Sequence, residues 1–445
     1  MGAIELEYVE RHAESARLYQ RAGRVLPSGV THDSRFMRPF PVYAQRASGS
    51  RKWDVNGNEL VDYVVGHGAL LLGHGYPAVQ EAALTQLSLG THYGASQEKE
   101  IEWAEQVVRL VPSAEVVRFT SSGTEATLMA LRLGRVYSGK PGVLKFDRHF
   151  HGWHDYVAAS SKYGGAAPAG VPQATLDSVV VVPVSMDAVR AALDRRDDVG
   201  TVIVEPAGAS SGTLPLPRGF LQELRALTTE RDMVMVMDEV VTGFRWAPGG
   251  VQELESVTPD LTTLAKVLAG GFPGGAVAGK REVMEHLDFP PVGSKAEKVG
   301  HPGTFNANPL SASAGVACLQ EIADGSHQRR ASHHASQLRA GMNGALCELG
   351  LPGVVYGQSS EFRILLSGTV PEASDYDPRA LSWDLLAAGN TAERSRLLHL
   401  AMATRGVHLF GDGGMASSVH TDADLAVALE AWRSSLIAMR NESAL

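Results

Sequence analysis

The chain has 445 residues, 44% of them hydrophobic and 20% charged, and its 40 Lys and Arg against 49 Asp and Glu leave a formal net charge of −9. That balance disfavours a nucleic-acid binder, which draws on clustered positive charge, and the apolar fraction is far from the signature of disorder. The length suits two or three domains.

The first twenty residues are amphipathic and of mixed charge, without the apolar core of a signal peptide, and nothing further on approaches the roughly 18 apolar residues of a membrane span. No membrane partner is expected. Leu6 stands where a myristoylation signal needs Ser or Thr. Short strand-like pieces at 42–44 and 60–64 lead into the glycine-rich GHGALLLGHG of 66–75. Then apolar runs of strand length, at 116–120, 143–146, 179–184, 201–204, 233–237 and 261–265, alternate with helical patterns such as 125–137 and 220–231. This predicts an α/β domain with a largely parallel sheet. From about residue 330 come an amphipathic helix, a strand-like 362–366, a polar loop at 367–379 and a last helix from Asp422. Residues 76–329 are therefore expected to form a large domain, with 1–75 and 330–445 packing as a smaller α+β domain. The two cysteines, Cys318 and Cys347, lie in apolar segments without C-x-x-C spacing, so the expected setting is cytoplasmic and reducing.

Ligands of such sheets bind beyond the carboxyl ends of the strands. After 116–120, Ser121-Ser122-Gly123-Thr124 opens a helix with small, hydroxylated residues, either a cup for an anion at the positive helix end or an ordinary N-cap. After 143–146 comes Asp147-Arg148-His149-Phe150-His151. His154 extends the histidines, but no carboxylate or cysteine completes a metal set, so no metal is expected. Glu205-Pro206 follows 201–204. Asp238 follows 233–237, and burying its carboxylate is costly unless a cation answers it; a ligand's protonated ring nitrogen would serve, and so would Arg245. Lys266 follows 261–265 among apolar neighbours. Such a setting strips hydration, lowers the amine's pKa and yields a Schiff-base nucleophile, unless the lysine merely snorkels from a strand end. There are only nine lysines (Lys52, Lys99, Lys140, Lys145, Lys162, Lys266, Lys280, Lys295 and Lys298), and of the other eight only Lys145 has a comparably apolar setting. The glycines of 274–280 approach a P-loop, but Arg281 replaces its Ser or Thr, and the match is read as chance.

A phosphate cup, an acid, a lysine and an aromatic at one sheet edge together describe a site for pyridoxal 5′-phosphate. The stretches SSGTEA (121–126), HFHGWHD (149–155), VEP (204–206), DEVVTGFR (238–245), LTTLAK (261–266) and GTFNANP (303–309) occur in this order. Across nearly the whole chain they resemble the class III pyridoxal-phosphate aminotransferases of fold type I, in the branch of the glutamate-1-semialdehyde aminomutases. The resemblance implies that Lys266 is the Schiff-base lysine and Asp238 the partner of the pyridine nitrogen. It places Val240 and Phe150 on the two faces of the ring, Ser122, Gly123 and Thr124 on the phosphate, and Glu205 and His151 near the cofactor. It also has Thr304 reaching the phosphate from a neighbouring subunit, which implies a homodimer with shared active sites. Arg35 aligns with the branch's substrate-carboxylate arginine, a guanidinium fork for the substrate.

Two departures bear on activity. Phe150 stands where the aminomutase has a tyrosine, and Gly411-Asp-Gly-Gly-Met differs from the aminomutase's acidic, aromatic stretch. With GHGALLLGHG and HGWHD, which look more like D-phenylglycine aminotransferases, they favour a transaminase moving an amino group between an amino acid or amine donor and a keto acid by ping-pong kinetics. The alternative is glutamate-1-semialdehyde 2,1-aminomutase, which carries out the transfer within one molecule. A catalytically silent cofactor-binding protein would be expected to lack Lys266 or Asp238, and both are present.

Overall fold

A computed structural model describes residues 2–159, 168–294 and 298–445, which leaves Lys162 and Lys295 outside the described residues. The chain resolves into two compact units, one of Met1–Tyr76 with His327–Leu445 and the other of Pro77–Ser326.

The first unit opens with the helices Ala3–Arg11 and Ala13–Ala22, followed by an antiparallel meander of β1 (Ala44–Ser48), β2 (Arg51–Asp54) and β3 (Glu59–Asp62). The strand expected at 42–44 begins only at Ala44, because every residue of β1 is exposed and no apolar pattern marks it.

The second unit is built on seven strands: β4 (Val116–Thr120), β5 (Gly142–Phe146), β6 (Val179–Val182), β7 (Val199–Val204), β9 (Val234–Asp238), β10 (Leu261–Ala265) and β11 (Gly275–Gly279). A two-residue β8 (Leu214–Pro215) bridges to Gly208 and Ala209 outside this sheet. The order is β4-β11-β10-β9-β7-β5-β6. Strands β10, β9, β7, β5 and β6 run parallel, and β11 is antiparallel to both of its neighbours. The central strands are buried throughout, which explains why they read as continuous apolar runs. Successive side chains still face opposite ways. Leu144, Phe146, Val202, Met235 and Met237 pack with the helix Phe220–Glu230, while Val143, Ile203, Val236 and Val277 pack with the helix Gly123–Ser138.

The run expected at 179–184 stops at Val182, because Pro183 has no N–H for a ladder. The glycine stretch that imitates a P-loop is β11. Glycine is needed at 275, where a Cβ would lie 2.4 Å from the Ser122 carbonyl oxygen.

The rest of the first unit holds β12 (Val354–Tyr356), β13 (Glu361–Leu365), β14 (Val407–His408) and β15 (Gly413–Met415). Strands β12, β13 and β15 form a second small sheet, and β14 completes the first by pairing in parallel with β3, Val61 opposite Val407. The last helix, Asp422–Asn441, starts from a capping box of Thr421 and Asp424. Trp432, Leu436, Phe362, Tyr63 and Tyr8 share the core of this unit.

Candidate active site

The carboxyl ends of β4, β5, β7, β9 and β10 bring most of the expected residues together in the second unit. Ser122 caps the helix Gly123–Ser138, its hydroxyl accepting the Glu125 N–H at 3.2 Å. The cap reading of this sequence is therefore correct. The cup reading survives beside it: among the described residues the N–H groups of Gly123 and Thr124 have no protein acceptor, and both residues are half-buried at a positive helix end. The cup is closely backed. A Cβ on Gly123 would approach the Val240 methyls to 2.9 and 3.0 Å.

Asp238 ends β9 at 6% exposure. Its Oδ1 accepts the Val240 N–H at 3.1 Å and the Thr263 hydroxyl at 3.0 Å, and its Oδ2 accepts from His151 Nδ1 at 2.7 Å. Thr263 lies opposite Asp238 in the β9–β10 register, three residues before Lys266. Burial lowers the pKa of His151 despite the aspartate beside it. That shift favours the uncharged ring, whose Nδ1–H would donate to Asp238. Among the described residues the ring's buried Nε2 has no hydrogen-bond partner.

Lys266 occupies a left-handed conformation at the end of β10, φ 52°, where a residue with a Cβ is strained. It is half-buried between the buried Ala265 and Val267. The full withdrawal from water read from its neighbours belongs instead to Lys145, 1% exposed.

Residues 150–159 form a strap over this end of the sheet. The Glu205 carboxylate accepts the Phe150 N–H at 2.6 Å and those of Ser210 and Ser211 at 3.0 Å. Burial and the nearby Asp238 push Glu205 up to about 8, opposed by these three donors. His149 Nδ1 accepts the Glu205 N–H at 3.0 Å. Thr127 Oγ1 donates to the His151 carbonyl at 2.7 Å and meets His154 Nε2 at 3.2 Å. Each of the three histidines is therefore tied into the strap. Phe150 and Trp153 remain 64% and 81% exposed. The sequence reading missed Thr263 and Thr127 and weighed His149 only as part of a metal set; the alternation of LTTLAK could have marked Thr263, but nothing local marked Thr127.

Thr304 is exposed on a turn that lines an open cavity of about 480 Å³ with Tyr93, Gln97 and Asn306. Arg35 belongs to the first unit, exposed in the short turn Asp33–Arg35, with Nη1 donating to Thr31 Oγ1 at 3.0 Å.

The cluster offers a fixed carboxylate, unspent helix-end N–H groups and an amine. That donor set suits a ligand with an anionic tail and a protonatable flat ring.

Comparison with known proteins agrees with this chemistry. The family profile described as Aminotransferase class-III matches residues 33–348. The chain is 42% identical over 360 residues to a glutamate-1-semialdehyde 2,1-aminomutase of Methanothermobacter thermautotrophicus, spanning 80% of this chain and 84% of that one. Among solved structures, an omega-transaminase from Sphaerobacter thermophilus is 35% identical, with a TM-score of 0.86 over 96% of this chain and 98% of that one. A transaminase with PLP bound is 30% identical, with a TM-score of 0.87 over 98% and 99%.

Proposed function

The chain belongs to the class III aminotransferases, and from that premise we propose that it moves an amino group with pyridoxal 5′-phosphate as cofactor, using Lys266 and Asp238 as its catalytic residues. The observation that carries the reading is the buried Asp238, held as an acceptor by Thr263, Val240 and His151, one strand from Lys266. When bound, the cofactor supplies an electron sink for the carbon that bears the amine.

Each residue has its own share of the work. Asp238, fixed as an acceptor by its three donors, would hold the ring nitrogen of the cofactor. Ser122, Gly123 and Thr124 take the phosphate at the helix end. Val240 and Phe150 would hold the two faces of the ring. Glu205 would act through the strap and His151 through Asp238. Lys266 would anchor the cofactor through its amine, and as a base it would move the proton of the amine-bearing carbon. Arg35 grips the substrate carboxylate. Thr304 reaches the phosphate of a neighbouring copy, so the working form is a homodimer with shared sites.

The curated relatives favour glutamate-1-semialdehyde 2,1-aminomutase as the specific activity. Transfer between two molecules is the second reading, supported by Phe150 in place of a tyrosine and by the likeness to an omega-transaminase. Incubation with glutamate 1-semialdehyde and no keto acid separates them. Sustained 5-aminolevulinate formation upholds the mutase; a strict need for a keto acid, with parallel double-reciprocal lines, upholds the transaminase. Borohydride reduction of the loaded protein should fix the cofactor on the Lys266 peptide and on no peptide of Lys266→Ala. Attachment at another lysine would overturn the assignment.

A further inference from the structure

The lysine that the amino-transfer reading leaves without work is Lys145. It lies in the middle of β5, between parallel neighbours on both sides, and shares its face of the strand with Val143, toward the helix Gly123–Ser138. An aliphatic side chain would suit that place. Burying an ammonium there is costly unless hydrogen bonds offset the lost hydration, and the only hydrogen bonds it makes among the described residues are to two backbone carbonyls, Val157 O at 2.7 Å and Ala159 O at 2.9 Å. Its pKa is lowered to about 8 by desolvation, with Glu205 and Asp147 opposing. This amine is kept from water and does not snorkel.

Those two carbonyls have their own need. They stand at the end of the single turn Asp155–Ala158, where helical carbonyls have no partner further along the chain. One amine thus satisfies both and fastens the far end of the 150–159 strap to the central sheet. The near end is fastened through Glu205, whose carboxyl oxygen accepts the Phe150 N–H. Thr127 and Asp238 hold the middle at His151. Nothing else among the described residues holds Val157 and Ala159 to β5 by a side-chain hydrogen bond.

We propose that Lys145 is a positioning residue, which by clamping the Val157 and Ala159 carbonyls fixes the strap that carries Phe150 and His151 over the cofactor. The proposal rests on the amino-transfer reading for what the strap covers, but the clamp itself is a property of the protein alone. Lys145 touches neither Asp238 nor Lys266; it acts through the strap.

The experiment uses the full chain and Lys145→Met, of similar length but without a donor. In the cofactor-free protein, hydrogen exchange of the amides in 150–159 should quicken about tenfold, while β7 and β9 keep their protection. In the loaded protein, the visible circular dichroism of the cofactor should weaken, and kcat should fall about fivefold with KM for the amino donor within about twofold. Lys145→Gln, whose amide keeps two N–H donors on a shorter stem, should restore part of the strap's protection, and it stands in if Lys145→Met does not fold. Exchange in 150–159 that is unchanged in the variant, or that quickens equally in β7 and β9, overturns the proposal. If the wild type binds no cofactor, the amino-transfer reading fails while the exchange result still decides the clamp.

Discussion

Asp238 is the residue on which the chemistry turns, because its charge is buried and its three donors leave it an acceptor. Asp238→Asn removes that charge and should lower kcat/KM by about 10²–10³-fold, the scale of breaking a buried charge pair. Thr263→Val removes one donor, and a loss of about fivefold is expected. Steady-state kinetics on matched, cofactor-saturated proteins check both, and equal losses would mean that the carboxylate acts only as a hydrogen-bond acceptor. Lys266 and Asp238 were legible in the sequence because each follows a run whose apolar pattern is local. The His151 partner was not, since it comes from 87 residues away, and no local pattern encodes which loop crosses which strand end. Lys145 was legible as an amine among apolar residues, but its two carbonyl partners could be seen only once the strap was in place.

Among the elements, the helix Gly123–Ser138 and β11 act as a pair, since the Ser122 carbonyl lies against the glycine backbone at 275. Ser122→Ala loses the cap and should cost about 1 kcal/mol. Gly275→Ala forces the Ser122 carbonyl away and, as a case of overpacking, should cost about 1–3 kcal/mol. It also tilts the cup, so its cofactor dissociation constant should rise more than that of Ser122→Ala. Thermal melts of the cofactor-free proteins and fluorescence titrations check the two effects separately, and the reverse ranking in affinity would show that the cup does not depend on β11. The strands β9 and β10 were readable because their valine, leucine and methionine runs are buried on both faces, and the half-buried edge strand β4 because Val116, Val117 and Phe119 make a short apolar run. Strand β11 was not, since a strand of Gly, Ala and a single Val has low intrinsic preference for the extended state. What selects it is the close approach of Ser122 and of Asp260, whose carbonyl oxygen would lie 2.3 Å from a Cβ on Gly279.

For the whole molecule, the two units differ in how they meet acid. The first holds His12, His334, His399, His408 and His420, buried or half-buried, with lowered pKa values, that of His334 at about 3, each chiefly through desolvation. Below about 6.5 the unfolded chain binds the more protons, so stability from these groups falls as pH drops from there toward their folded values. The second unit has His149, His151 and His154 of the same sign, but Glu205, raised to about 8, works the other way between about 4.5 and 8. From pH 7 to pH 5 the best-protected amides of the first unit should therefore lose more protection than those of the second, after correction for intrinsic exchange rates. An equal loss in both would contradict this. The pairing of β3 with β14 carries a further consequence, in time instead of space. Val61 meets Val407 only after the ribosome has added the whole second unit and most of the remaining chain. At about 5–20 residues per second that delay is roughly 20–70 s. During it Leu60 and Val61, fully or nearly buried in the finished protein, have one strand edge unpaired, so the nascent chain presents a sticky ribbon to chaperones until Val407 has been made.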